Sequence, residues 1–229
     1  MESVNDLLMH SRDAKPPPDN IAPGGSARGG QVSAFVAVLI RLITGLQARW
    51  PGAEPLDRQR IYFANHTSNL DAVVIWAALP EFIRKKTRPV AARDYWQTGF
   101  RQWLANDVFR AVLIERRKVT VENNPLREML AVLDGGESLI IFPEGGRFAG
   151  PEPQKFKGGL HHLAKDRPQV ELVPVYLENL NRILPKGEVL LVPLLGSLTI
   201  GAPITLGAEE TKGDFLERAR QAVWSLRKI

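Results

Sequence analysis

His66 and Asp71 stand five positions apart in Asn65-His66-Thr67-Ser68-Asn69-Leu70-Asp71. Of all the side chains in the sequence, these two imply chemistry most directly. An imidazole exchanges protons near neutral pH. A carboxylate beside it accepts the proton on one ring nitrogen and leaves the other nitrogen as a base. On a single helix, five positions turn through about 140°, so the two side chains would point apart. They meet only where His66 sits in a turn and Asp71 in the first turn of the helix that follows. Such a pair is a hydrolase-like triad without its nucleophile, a role open to a substrate hydroxyl. Both residues also have ordinary structural readings. Ser68-Asn69-Leu70-Asp71 matches the [ST]-x-x-[DE] capping box, in which the acid serves the helix N-terminus, and His66 alone could be a satisfied structural histidine.

The second candidate is Pro143-Glu144-Gly145-Gly146-Arg147, which follows the apolar run Ser138–Phe142. A buried strand that opens into a Pro/Gly loop with two charges is where α/β proteins place functional residues. Gly145 and Gly146 allow close backbone approach to a ligand. Arg147 could grip a phosphate with its planar fork, and Glu144 could orient the arginine or a substrate hydroxyl. The alternative is a tight turn carrying a surface ion pair.

Positioning these groups requires strands that end beside one another. Strand-like segments are Arg60–Ala64, Pro89–Ala92, Ala111–Ile114, Ser138–Phe142, Val170–Val175, Val189–Val192 and Leu198–Ile200. Helix-like segments are Asp71–Leu79, Gln97–Asn106, Pro125–Asp134, Gly158–Lys165 and Asp214–Lys228. The alternation predicts a single α/β domain with a mostly parallel or mixed sheet covered by helices. Residues 1–30 combine Pro16-Pro17-Pro18 and paired glycines with charges, which predicts a mobile tail before a domain at 31–229. Residues 32–49 read as an apolar helix carrying Arg41 and Arg49. It either packs on the core or lies in a membrane interface with its arginines snorkelling.

With 229 residues, 44% of them hydrophobic, the chain can bury a sizeable core. It has no cysteine, which excludes disulfides, zinc-thiolate sites and a cysteine nucleophile. No metal-ligand cluster stands out. The net charge of +5 suits anionic partners such as phospholipid headgroups, phosphorylated substrates or an acidic carrier protein. The sequence has no helix-turn-helix signature, zinc spacing or RNA-binding aromatic motif, so nucleic acid is not expected. The longest apolar run, Val32 to Leu46, is broken by Arg41 and falls short of a membrane span. No secretory signal is evident, which makes a cytoplasmic location the default.

Taken together, the motifs resemble those of the glycerolipid acyltransferases of the lysophosphatidic acid acyltransferase type. Asn65 to Asp71 resembles their NHxSxxD block, with its His-x4-Asp spacing, and Phe142-Pro143-Glu144-Gly145-Gly146-Arg147 resembles the FPEGTR block. Leu113-Ile114-Glu115-Arg116 resembles the FIDR block, and Val173-Pro174-Val175 the late VPV block. Phe156-Lys157-Gly158-Gly159 matches the phenylalanine-glycine pattern that follows the third block. The sequence departs from the family at three positions: Gly146 replaces threonine, Glu115 replaces aspartate and Leu113 replaces phenylalanine.

The resemblance implies a glycerol-3-phosphate acyltransferase-like fold. It also implies transfer of an acyl chain from acyl-CoA or acyl-carrier protein to the free hydroxyl of lysophosphatidic acid, with no cofactor beyond that co-substrate. His66 would be the general base and Asp71 would hold its tautomer. Arg116, Glu144, Gly145, Gly146 and Arg147 would bind the acceptor, with Arg117, Lys118 and Lys155 as weaker electrostatic candidates. Ser68 reads as a cap, and His161 and His162 as exposed helix residues. Trp76, Trp96 and Trp103 read as core, as the lining of an acyl path or as interface residues. The substrates imply a protein peripheral to the cytoplasmic face of the membrane, touching it through the helix near 32–49. Two alternatives remain. One is the same chemistry on another lysolipid, such as a lyso-ornithine lipid. The other is a catalytically silent lipid- or carrier-binding protein.

Overall fold

The computed structural model describes residues 27–115, 120, 123–148, 150, 152–178, 180 and 196–228. Seven strands form one sheet: β1 (Gln47–Arg49), β2 (Arg60–Ala64), β3 (Thr87–Ala92), β4 (Val112–Ile114), β5 (Ser138–Ile141), β6 (Glu171–Glu178) and β7 (Ser197–Ile200). Their order is β1-β7-β6-β2-β5-β3-β4. Neighbours are parallel except β6 and β7, which run antiparallel. The expected α/β class with a mostly parallel sheet is therefore observed.

Helices cover both faces. β2 shows why: every residue of Arg-Ile-Tyr-Phe-Ala is buried. Alternate side chains feed different cores. Ile61 and Phe63 pack with Leu160, Leu163, Phe215 and Val223, which lie on α7 (Gly159–Asp166) and α8 (Lys212–Ser225). Tyr62 and Ala64 pack with Ala37, Val74 and Ile75 on α1 (Ala27–Thr44) and α2 (Asp71–Ala78). A strand buried on both faces reads as a continuous apolar run. α6 (Pro125–Asp134) takes the predicted bounds because Asn124 caps it, accepting from the Leu126 N–H at 3.0 Å, and Pro125 starts it.

Several elements differ from expectation. The apolar helix spans 27–44 rather than 32–49, so it begins inside the predicted tail, and Arg49 lies on β1. Arg41 does not snorkel. Its guanidinium donates to the carbonyls of Ala77 at 2.6 Å, Leu79 at 3.2 Å and Ala78 at 3.4 Å. These carbonyls close the C-terminal end of α2, where backbone acceptors lack helical partners and a cation is favoured. The helix expected at Gln97–Asn106 is observed as α5 (Gly99–Trp103), which runs on as a π-helical turn, Leu104–Val108, and a short α4 (Arg93–Trp96) precedes it. A short α3 (Glu81–Arg84) and the polar edge strand β1 have no apolar period and were not expected. The strand expected at Val189–Val192 lies outside the described residues, as does nearly all of the 1–30 tail.

Candidate active site

β2, β5 and β3 are parallel, and their registers pair Phe63 with Ile141 and Pro89 with Ile140. Their carboxyl ends are therefore level, and the segments that leave them meet at one edge of the sheet, where open α/β folds bind ligands. Asn65 leaves β2 first. Its buried amide copies a backbone pair with β6, donating to the Leu177 carbonyl at 2.9 Å and accepting from the Leu177 N–H at 2.8 Å. This clamp fixes the turn in which His66 stands. The Val173-Pro174-Val175 block lies in β6, paired with Tyr62 to Ala64, so it braces the turn from the core.

Asp71 is the first residue of α2 and is wholly buried. Its Oδ2 lies 2.9 Å from His66 Nδ1. A carboxylate at this site can only accept, so Nδ1 carries the hydrogen and Nε2 is left as the base. The same Oδ2 accepts the N–H of Thr67 at 2.6 Å and of Ser68 at 2.8 Å. The carboxylate thus ties down the turn before α2 through two backbone N–H groups while holding the imidazole, so one side chain makes structural bonds and the histidine contact together. Ser68 Oγ takes the Leu70 N–H at 3.3 Å. The His66 ring stacks on Phe142, with centroids 4.2 Å apart and planes at 19°, so the loop after β5 fixes its plane.

Glu144 binds backbone on both sides. Oε1 accepts the His66 N–H at 2.8 Å, and Oε2 accepts the Gln154 N–H at 3.1 Å. It was expected to orient Arg147 or the acceptor; in the structure both its oxygens are taken by main-chain donors, one from the turn after β2 and one from farther along its own β5–α7 connection. Burial pushes its carboxyl above the usual range, and the two N–H donors act against that shift. The Phe148 N–H donates to the His66 carbonyl at 2.9 Å, a further tie between the two motifs. Gly145 has φ +69°, a left-handed conformation that favours glycine. A Cβ on Gly146 would meet the Phe148 ring at 3.6 Å, an ordinary contact, so space does not explain the absence of a threonine there.

A pocket of about 460 Å3 opens beside His66. Its polar edge includes Asn69, Arg147 and Lys157, and its walls include Val90, Trp96, Ile114, Met129 and Leu163. The site thus brings together His66, Asp71, Gly145 and Arg147, with Glu144 and Gly146 in the supporting loop. Arg116, Arg117 and Lys118 lie outside the described residues. Lys155 is exposed. His161 and His162 are half-buried rather than exposed, with the His161 ring against Phe215. Trp76 is core, Trp96 lines the pocket and Trp103 is exposed. Lys157 was not singled out from the sequence. The only signal for it was its place in Phe156-Lys157-Gly158-Gly159. Among the described residues no group of three or more His, Asp or Glu side chains could hold a metal ion. A smaller polar pocket of about 140 Å3, near Gln59 and Ser138 at the opposite strand ends, holds none of these groups.

The acyltransferase family model matches residues 47–178, more than half of the chain and the whole of this site. A curated relative, "Taffazin" of Dictyostelium discoideum, is 29% identical over 154 residues, which is 62% of this chain. The chain spans about half the length of that relative, 52%. Among solved structures, a 1-acyl-sn-glycerophosphate (LPA) acyltransferase, PlsC, from Thermotoga maritima superposes with a TM-score of 0.69 at 20% identity, covering 87% of this chain and 78% of the other. That likeness extends the family assignment to the fold, and the chain belongs to the acyltransferase family.

Proposed function

We propose that the protein transfers an acyl chain from a thioester, acyl-CoA or acyl-carrier protein, to the free hydroxyl of a lysophospholipid, with lysophosphatidic acid as the acceptor and phosphatidic acid as the product. The observation that carries this reading is the His66 Nδ1–Asp71 Oδ2 contact of 2.9 Å at the mouth of a pocket with cationic and apolar walls. Nε2 takes the proton of the acceptor hydroxyl as its oxygen attacks the thioester carbonyl. Asp71 stabilises the imidazolium that forms. The C–S bond then breaks, and the thiolate leaves with the proton that the imidazolium returns. An ordinary thiol has a pKa of about 8.5, so it departs with less acid assistance than an alkoxide. No acyl-enzyme is needed. The apolar wall suits an acyl chain, and Arg147 suits the acceptor's phosphate.

Both substrates carry acyl chains, so the protein should work at a bilayer. α1 supports this. Phe35, Leu39 and Leu42 project from it at helical spacing, and Phe35 and Leu42 are 68% and 75% exposed. α5 adds exposed Phe100 and Trp103, stacked 5.4 Å apart. Among the described residues, no helix is long and apolar enough to cross a membrane. The contact proposed is peripheral, on the cytoplasmic leaflet where the thioester donors are found. The test is incubation with acyl-CoA and with acyl-carrier protein against a panel of lysolipids, with products identified by mass. Phosphatidic acid should dominate. Preferential acylation of a lysolipid without a phosphate monoester would refute the acceptor, and thioester binding without turnover would refute catalysis.

A further inference from the structure

Arg147 and Lys157 both face the pocket that holds His66, and neither has a carboxylate partner among the described residues. Elsewhere Arg58, Arg88, Arg167, Arg218 and Arg220 each hold a carboxylate at 2.6–3.2 Å. The carboxylate that lines the pocket is Asp94, on α4. Two cations lining one pocket present charge that complements a bound dianion.

Lys157 is exposed, yet its position is constrained. Its N–H donates to the Pro143 carbonyl at 2.8 Å, which fixes it to the loop after β5. Its neighbour Phe156 is buried and meets Phe63 edge-on at 6.2 Å. The side chain then crosses Gly145. A Cβ built on Gly145 would lie 2.5 Å from Lys157 Nζ, 2.8 Å from Cε and 2.9 Å from Cδ. Glycine at 145 therefore accommodates the φ of +69° and leaves room for the lysine to lie across it.

We propose that Lys157 is the second cation of the acceptor's phosphate site. Arg147 supplies the planar fork, Lys157 supplies a point charge, and the bare face of Gly145 lets the ammonium reach the dianion. The proposal rests on the lysophosphatidic acid reading and deepens it. In that acceptor the carbon bearing the phosphate adjoins the carbon bearing the free hydroxyl, so a clamp on the phosphate places the hydroxyl for His66. The same ammonium could instead serve a phosphate of the donor, and the kinetics separate the two sources.

Lys157→Met keeps most of the stem and removes the charge. Steady-state kinetics should be measured with lysophosphatidic acid, with monoacylglycerol, which lacks the phosphate, and with acyl-CoA varied in turn. The KM for lysophosphatidic acid should rise about tenfold to a hundredfold, as expected for loss of a charge-assisted bond. The KM for acyl-CoA and the turnover of monoacylglycerol should stay within about twofold, and Lys157→Arg should restore part of the loss. A rise in the KM for acyl-CoA alone would assign the lysine to the donor and overturn the proposal. An equal effect on both acceptors would show a structural role and overturn it too. If the unaltered protein fails to acylate lysophosphatidic acid, the acceptor reading falls, and the lysine proposal falls with it whatever the variants do.

Discussion

Replacing Asp71 by asparagine removes a charge and leaves the volume almost unchanged. Oδ2 accepts from three donors, His66 Nδ1, Thr67 N and Ser68 N, while Oδ1 is buried with no partner. The amide has two orientations. With its oxygen at the Oδ2 position all three donors keep an acceptor, and the NH2 group replaces Oδ1 with nothing to receive it. The Oδ1 position is unpartnered in either protein, so the stability loss comes from the three bonds that now go to a neutral acceptor, about 1–3 kcal/mol. With the amide reversed, the NH2 group faces two backbone N–H groups and three bonds are lost together. The first orientation is therefore favoured. His66 keeps its tautomer, and the catalytic loss comes from the missing charge. At an effective dielectric constant of about 20, unit charges about 4 Å apart attract by about 4 kcal/mol, an upper figure for the stabilisation removed from the imidazolium. Turnover should fall by about two to three orders of magnitude. A stability loss of about 2 kcal/mol would lower the unfolding midpoint by about 4–8 °C. Thiol release at saturating acceptor, followed with a chromogenic disulfide, gives the first quantity, and thermal unfolding gives the second. Turnover within about tenfold of wild type would refute the coupling of Asp71 to the base. An unchanged midpoint would refute a stabilising role for the charged acceptor of the Thr67 and Ser68 N–H groups.

Glu144→Gln should cost about 1–3 kcal/mol, because one amide cannot offer oxygens to both His66 N and Gln154 N. Burial holds the Glu144 carboxyl above its ordinary value of 4.5, so folding favours the protonated form. That contribution is complete below 4.5 and is lost as pH rises through the raised value. Denaturant titrations should therefore show the wild-type advantage narrowing as pH rises from 4.5 through the raised value, and a constant gap would contradict the raised carboxyl. Arg41→Ala should lower stability by about 1–2 kcal/mol through the lost cap on α2, discounted for the exposure of the side chain. Vesicle binding should be unchanged, and weaker binding at unchanged stability would return Arg41 to the membrane. Phe35→Ser with Leu42→Ser should weaken co-sedimentation with anionic vesicles and leave the unfolding midpoint in place, since both side chains are exposed. Undiminished co-sedimentation would place the contact elsewhere.

Much of this architecture was legible in the sequence because it is local. β2 is buried on both faces and reads as an unbroken apolar run. α6 announces itself through Asn124 and Pro125. His66, Asp71 and Arg147 stand in short motifs whose spacing is the geometry. What escaped depends on distant partners. β1 is three exposed residues made into a strand by β7, about 150 positions later. The purpose of Arg41 is set by carbonyls some 36 residues away. Glu144 looked like a ligand-facing acid, but its partners are main-chain groups at positions 66 and 154. Lys157 lies across the bare face of Gly145, a contact between positions twelve apart that no local pattern announces.

The most direct measurement is the mass of the lipid formed from isotope-labelled acyl-CoA and lysophosphatidic acid, for wild type and for His66→Ala confirmed as folded. Wild type should yield phosphatidic acid carrying the label, with one free thiol released per acyl chain transferred. His66→Ala should form it about two to four orders of magnitude more slowly, the usual cost of losing a general base. A folded His66→Ala protein that makes phosphatidic acid at close to the wild-type rate would contradict the role of His66 as the base.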